Sequence, residues 1–177
     1  NCERDNPADD HKGDWWDHVA FDPEHKLVLA VVPGARVTES VEEVVTEVKD
    51  RLDEQPPALM TSDEYSVYET VIEEVFSQPV VAPQEPARPG RRPLLPERRL
   101  DPGVTYATVR KERKNNRVVA VHREVVLGDQ RAVDAALKAS VCSRTINTSF
   151  VERQHGTARG QNARQSRRTY RFSKDWE

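Results

Sequence analysis

The chain has 177 residues, of which 36% are hydrophobic and 32% are charged, so it suits one domain with a smaller core than average. No run of 18 apolar residues occurs, so neither a membrane-spanning helix nor a membrane partner is expected. The net charge of −3 hides an asymmetry, because the first 80 residues hold 20 acids and 6 bases and the rest hold 10 acids and 21 bases. The basic half is therefore expected to meet a nucleic acid or another acidic partner.

The two cysteines, Cys2 and Cys142, have neither the spacing of metal ligands nor that of a disulfide framework. A cytoplasmic, reducing location is the expectation. No signal-peptide pattern is visible, and the chain opens on Asn-Cys instead of Met. The sequence is therefore expected to be a fragment or a processed product.

The first half of the chain predicts a hairpin, a helix, a strand and a second helix. Residues 15–21 (WWDHVAF) and 26–32 (KLVLAVV) predict two antiparallel strands that follow a polar, acidic loop. Residues 38–52 predict an amphipathic helix capped by Thr38 or Ser40. Residues 58–61 (ALMT) predict a short strand, and a second helix is predicted to end near Phe76. The apolar side of the first helix consists of Val41, Val44, Val45, Val48 and Leu52.

Residues 78–103 contain seven of the twelve prolines and five arginines, which predicts a disordered linker or an extended basic arm that does not join a core. Residues 104–113 and 117–127 alternate as strands do, and Lys114-Asn115-Asn116 predicts the hairpin turn between them. Asp129 is expected to cap a helix that ends near Ala139. A loop over 143–148 then leads to the basic C-terminal part.

Arginine dominates residues 146–176 (INTSFVERQHGTARGQNARQSRRTYRFSKDW). Between Glu152 and Arg168 there is no apolar side chain larger than alanine, so a helix here buries no apolar stripe. On a helix, His155, Gly156 and Arg159 share the face of Glu152. That face would offer one carboxylate flanked by cations to a polyanion. The alternative is a solvated, partly disordered basic tail.

Two acids are candidates for chemistry, and each has a simpler explanation. Asp63 follows a predicted strand, at the sheet edge where α/β proteins place their sites, but Ser62 or Asp63 is also suited to cap the next helix. Glu152 near a helix start is favoured by the helix dipole. If the two carboxylates met beside a sheet, their oxygens would suit Mg²⁺ and phosphodiester chemistry, which usually requires a third acid.

Three stretches resemble bacterial insertion-sequence transposases of the DDE type. Residues 146–176 are similar to the C-terminal signature of that family, DWWDHVAFDPEHKLVLAVVPGAR (residues 14–36) to its strand pair after the first catalytic Asp, and TSDEYSVY (residues 61–68) to its second acidic segment. The resemblance implies an α/β fold, with a ribonuclease H-like mixed sheet that is flanked by helices and lacks its first strand. It also implies DNA cleavage and strand transfer that depend on Mg²⁺ or Mn²⁺.

Within this resemblance, Asp63 and Glu152 are the second and third catalytic acids and metal ligands, and the first acid belongs on the absent strand before Trp15. The implied partners are DNA, as terminal inverted repeats and as target, and the resemblance allows a homo-oligomer. Residues 1–77 would form the first part of the core, 78–103 an insertion or linker, and 104–177 the remainder with its basic helix. The side chains expected to hold DNA phosphates are Arg153, Arg159, Arg164, Arg167, Arg168 and Lys174.

Three alternatives to a transposase core stay open. The first is a non-catalytic remnant that binds nucleic acid through the basic C-terminal helix, with an affinity that falls with salt and ignores Mg²⁺. The second is a protein-interaction module that uses the Pro/Arg segment as an extended ligand. The third is a stand-alone nuclease that uses the same acids.

Overall fold

A computed structural model describes residues 16–52, 55–80, 98–115 and 117–162. These residues form a mixed α/β structure, as predicted, and none of their helices has the length and apolar content that a membrane crossing requires. The strands are β1 (Trp16–Asp22), β2 (Leu27–Gly34), β3 (Met60–Asp63), β4 (Ser77–Pro79), β5 (Arg98–Leu100), β6 (Tyr106–Lys114) and β7 (Arg117–Leu127). The helices are α1 (Thr38–Asp50), α2 (Val67–Val75), α3 (Gln130–Ala139) and α4 (Ser149–Gln161).

The central element is a mixed three-stranded sheet in the order β3-β6-β7. Strand β3 lies parallel to β6, with Met60 opposite Tyr106 and Asp63 opposite Val109. Strand β7 returns antiparallel to β6 and is longer than β3. The sheet therefore has three strands up to Val109 and continues as two strands beyond it.

Both predicted hairpins are confirmed. Strands β1 and β2 pair antiparallel, and the Asp22 carboxylate closes their turn by accepting the backbone N–H of Glu24 at 2.9 Å. Strands β6 and β7 pair from Tyr106 opposite Leu127 to Lys114 opposite Arg117. Asn115 in their turn has φ 52°, a left-handed conformation that asparagine tolerates better than most residues.

One face of the sheet is covered by α1 and α2. Tyr106, the largest fully buried side chain, points into this layer, and its hydroxyl shares a hydrogen bond with Ser62 at 2.6 Å. The apolar face predicted for the first helix accounts for the contact, since Val41 and Val44 are almost completely buried. This first core consists of Ala30, Val32, Val41, Val44, Val45, Val71, Ile72, Phe76, Val104 and Tyr106.

The opposite face carries a second, smaller core. Side chains alternate along a strand, so Ala107 and Val109 face away from Tyr106. They pack against Val133 of α3 and against Ile146 in the loop before α4. This contact fixes the loop, and the first turn of α4 after it, on the side of the sheet that α1 and α2 leave open.

The predicted helix caps are partly wrong. Val37 precedes the first residue of α1, and neither Thr38 nor Ser40 caps the helix. Ser40 is buried instead and lies close to Gly34. A Cβ added at Gly34 would lie 2.7 Å from the Ser40 hydroxyl oxygen. Asp129 does cap α3, because its carboxylate accepts the backbone N–H of Arg131 at 3.3 Å.

The cap explanation for Asp63 is also wrong. Helix α2 begins at Val67 after Ser66, with no side-chain hydrogen bond at its cap position. Asp63 is the last residue of β3 and lies too early to cap this helix. Its presence at the strand end is therefore not explained by the start of the helix.

The Pro/Arg-rich stretch is tied to the fold at both ends, which its composition did not predict. Strand β4 pairs antiparallel with β5, and Leu100 packs against the first core. The Arg98 guanidinium donates to the carbonyls of Glu74 and Ser77, both at 3.0 Å. Residues 81–97, on which the rest of the linker prediction falls, lie outside the described residues.

Candidate functional site

Asp63 ends β3 on the face of the sheet that carries the second core. Because it is in register with Val109 on the neighbouring parallel strand, the two side chains share a face. The carboxylate is exposed, and among the described residues it forms an ion pair with the Arg36 guanidinium at 3.8 Å. The acid is therefore accessible in this part of the chain and faces an arginine.

Aromatic rings hold that arginine in place. The Arg36 guanidinium carbon lies 4.3 Å from the ring centre of Tyr65 and 5.4 Å from that of Trp16. The Tyr65 hydroxyl donates to the backbone carbonyl of Arg36 at 3.2 Å. Because a cation over an aromatic face is attracted by the ring, Arg36 stays beside Asp63 even though both side chains are exposed.

Helix α4 reaches the same face through the residues just before it. The Thr61 hydroxyl, two residues before Asp63, donates to the carbonyl of Asn147 at 3.3 Å. The Arg123 Nε donates to the carbonyl of Ile146 at 2.7 Å. Contacts from β3 and β7 therefore fix the start of α4 across the sheet.

Glu152 lies in the first turn of α4 and faces β6. Its carboxylate accepts a hydrogen bond from the Lys111 ammonium and another from the Thr148 hydroxyl at 2.7 Å. Lys111 is two residues beyond Val109 and so points to the same face. Burial by itself raises the pKa of Glu152. The hydrogen bonds from Lys111 and Thr148 and the charge of Arg113 lower it by more, so the pKa lies below the usual value.

The structure thus brings the two predicted acids to one face of one sheet. Asp63 is opposite Val109, and Glu152 contacts Lys111, about 7 Å farther along β6. Each carboxylate faces its own cation. No signal in the sequence linked Arg36 to Asp63 or Lys111 to Glu152, because both pairings join distant segments.

Carboxylate oxygens are suitable ligands for Mg²⁺ or Mn²⁺, but the donor set is short. Within the ranges that the structure describes, no three His, Cys, Asp or Glu side chains lie close enough together to hold a metal ion. A divalent ion would also have to compete with Arg36 and Lys111. The described residues therefore do not make a metal site by themselves.

His155 lies one turn after Glu152 on the same side of α4 and is half-buried instead of exposed. Burial and the nearby Arg159 lower its pKa, and Asp17 and Glu152 only partly oppose them. The lowered pKa favours the neutral imidazole over the charged one.

Two of the six side chains that were predicted to hold DNA phosphates lie among the described residues. Arg153 and Arg159 are both exposed on α4. The helix ends at Gln161, earlier than the polar run to Arg168 suggested, and Asn162 is extended. Arg164, Arg167, Arg168 and Lys174 lie outside the described residues.

The charge on Glu152 has a testable consequence for stability. Because the folded state lowers its pKa from the ordinary 4.5, the ionised carboxylate stabilises the fold above that pH, and the contribution is lost as the pH falls through the folded pKa. In urea titrations, Glu152→Gln is expected to lower the free energy of unfolding by less than about 1 kcal/mol near neutral pH, as for other exposed pairs.

The difference between Glu152→Gln and the native chain should shrink as the pH falls below 4.5 and through the folded-state pKa of Glu152. Asp134→Asn provides a control for removing an exposed carboxylate elsewhere, because the Asp134 carboxylate accepts a hydrogen bond from the Gln130 side chain on the same helix. A Glu152→Gln effect that persists unchanged at the acidic end would contradict the assignment.

Comparisons with known proteins leave the family open. No protein-family model matches the chain. Neither the curated proteins nor the solved structures give a significant match.

Proposed function

We propose that the chain is part of the catalytic core of a DNA transposase with a ribonuclease H-like fold, whose intact form cleaves and joins DNA phosphodiesters with Mg²⁺ or Mn²⁺. One observation carries the proposal: Asp63 and Glu152, far apart in sequence, lie on the same face of one mixed sheet beside β6. Asp63 is not explained as a helix cap, since it precedes α2 by several residues. Glu152 lies in the first turn of α4, where the helix dipole also favours an acid. In the intact enzyme these two carboxylates would hold the divalent ion together with a third acid.

The cations around Glu152 supply the binding of DNA. Lys111 neutralises Glu152, which leaves Arg113 on the same face of β6 without an acid of its own among the described residues. Arg153 and Arg159 extend this positive surface along α4. A phosphate backbone that lies across β6 and the start of α4 would meet these cations next to both acids.

A non-catalytic nucleic-acid-binding remnant is the second candidate. It is favoured by the ion pair itself, because Lys111 already occupies the carboxylate that a metal would need. In that case the basic surface binds DNA whether or not a divalent ion is present. The two functions therefore differ in how they respond to Mn²⁺.

The proposal predicts that the chain binds Mn²⁺ weakly and that both acids contribute. In Mn²⁺ titrations followed by electron paramagnetic resonance, Asp63→Asn and Glu152→Gln should each weaken the binding about tenfold, and the double variant should be little worse than either single variant. Asp50→Asn, an exposed acid on α1, is the control. Equal Mn²⁺ affinity in all variants would favour the non-catalytic candidate.

Strand cleavage gives the complementary measurement. Because the described donor set is incomplete, the isolated chain is expected to nick supercoiled DNA weakly or not at all with Mg²⁺. Nicking that requires Mg²⁺ and disappears in Asp63→Asn would show instead that the chain supplies a complete site. Salt-dependent DNA binding without nicking agrees with both candidates and leaves the Mn²⁺ result to decide between them.

A further inference from the structure

The β6–β7 hairpin extends beyond the sheet as a two-stranded ribbon. Strand β3 ends opposite Val109, so the described residues 110–115 and 117–122 form a ribbon in which β6 and β7 pair with each other alone. Antiparallel pairing continues to Lys114 opposite Arg117, with a bulge between Glu112 and Arg113. The ribbon is thus a regular element that contributes no side chain to either core.

Positive charge concentrates on this ribbon. Residues 110–121 contain five Lys or Arg side chains and a single acid, Glu112. That acid is paired with His122 at 3.2 Å, while Arg110 pairs with Glu64 at 3.5 Å and Lys111 with Glu152. In the part of the chain that the structure describes, no acid forms an ion pair with the tip cations Arg113, Lys114 and Arg117.

Apolar side chains are interleaved with these cations. Val118 and Val119 are among the most exposed large hydrophobic residues described, and Val118 is opposite Arg113. Exposed valines beside cations that form no ion pair with a described acid indicate a partner that offers both negative charge and apolar surface. Nucleic acid has both, in its phosphates and in its base edges.

The charge on the other face of the sheet favours binding of a polyanion on the side of the ribbon. The acid-rich helices α1 and α2 cover the opposite face of the sheet, where Tyr106 points. Their carboxylates would repel a phosphate backbone, so a polyanion is guided to the side of α4 and the ribbon. A second copy of the chain that added a strand to the free edge of β7 would need no such concentration of cations at the tip.

We propose that the β6–β7 ribbon inserts into a groove of duplex DNA, with Arg113, Lys114 and Arg117 on the flanking phosphates. Two strands about 4.8 Å apart, with their side chains, suit a major groove about 12 Å wide. The inference rests on the proposed function only in taking DNA as the substrate. It adds a contact on the ribbon to the one that α4 makes beside the acids.

The test compares three variants of the full chain on a short mixed-sequence duplex and on one of its single strands. The ribbon variant carries Arg113→Gln, Lys114→Gln and Arg117→Gln. The control carries Arg51→Gln, Arg131→Gln and Lys138→Gln, which removes the same charge from exposed positions in α3 and just after α1. Fluorescence anisotropy over a range of salt gives affinities and salt slopes. A further variant, Arg113→Lys with Arg117→Lys, keeps the charge and reports on folding of the ribbon.

The ribbon variant is expected to bind the duplex at least about tenfold more weakly and to lower the salt slope by about 3, one for each lost phosphate contact. The control and the lysine variant should stay close to the native chain. Single-strand binding should change much less than duplex binding.

Equal loss in the ribbon and control variants would overturn the inference, as would a loss confined to the single strand. A ribbon variant that leaves DNA affinity intact but halves the mass in sedimentation would overturn it in favour of a second copy. If the ribbon result holds while Mn²⁺ binding is independent of Asp63 and Glu152, the catalytic proposal fails and the ribbon stands. The absence of any duplex binding by the native chain would contradict both.

Discussion

Replacing Gly128 with alanine is expected to lower the free energy of unfolding by about 3 kcal/mol. Gly128 has φ +89°, a backbone conformation that residues with a side chain rarely adopt. A Cβ there would lie 2.7 Å from the carbonyl oxygen of Val104 and 2.9 Å from a methyl group of Thr105. The backbone oxygen cannot move without disturbing the residues that lead into β6.

The position of Gly128 between β7 and α3 means that strain there affects both elements. It connects β7 to the cap residue Asp129, and the cap orients α3 so that Val133 reaches the second core. A shift at Gly128 would therefore disturb the hairpin and α3 together. Urea titrations should show a lower midpoint with an unchanged slope, since the folded state stays compact.

Gly156→Ala is the matched control. Gly156 lies inside α4, where an added Cβ would meet no atom within 4 Å. Alanine in a helix interior is about 1 kcal/mol more favourable than glycine, so this variant should gain stability. Opposite signs for the same chemical change are the expected result, and a Gly128→Ala variant as stable as the native chain would show that the turn adopts another conformation.

Local patterns account for the elements that the sequence predicted correctly. The two hairpins follow from alternating β-branched strands with short polar turns between them, and Asp129 satisfies the first turn of α3 from the adjacent position. Such features depend on neighbours in sequence. Their energetics are therefore visible before any tertiary contact is known.

Features that depend on distant segments were not predictable in the same way. Thr38 and Ser40 are good capping residues, yet burial of Ser40 under Gly34 takes precedence over a cap. Strands β4 and β5 are too short to show a pattern, and they form because Leu100 has a core to join. Composition alone indicated a linker there.

The candidate site shows the same division. Asp63 and Glu152 could be selected from the sequence by their acidic character, their predicted positions and a family resemblance. The cations beside them could not, because Arg36 follows a hairpin and Lys111 sits within a strand that alternates like any other. The three-dimensional structure is needed to show that Arg36 pairs with Asp63 and that Lys111 pairs with Glu152.

Ile146→Ala is expected to lower the free energy of unfolding by about 3 kcal/mol and to loosen α4 on the sheet. Ile146 is 7% exposed and packs with Ala107, Val109 and Val133. The truncation leaves a cavity in the second core, which has only a few buried side chains with which to fill it. The backbone contact from Arg123 remains in the variant, so the loss measures the side chain alone.

Val141→Ala supplies the comparison in the same loop. Val141 is 83% exposed, and its backbone N–H, which bonds the Glu24 carboxylate at 3.3 Å, is unaffected by the change. Its effect should stay within about 0.5 kcal/mol. Val141→Ala removes two aliphatic carbon atoms and Ile146→Ala removes three, so most of the difference between their effects reports burial.

The functional consequence of Ile146→Ala separates docking of α4 from its charge. If Ile146 places Glu152 beside Lys111, hydrogen exchange in the first turn of α4 should quicken in Ile146→Ala and not in Val141→Ala. DNA affinity should fall in the same variant, although no cation has been removed, because Arg153 and Arg159 would no longer be held at a fixed distance from β6. Unchanged exchange in α4 would mean that Lys111 and Thr148 are sufficient to hold the helix on the sheet without the apolar contact.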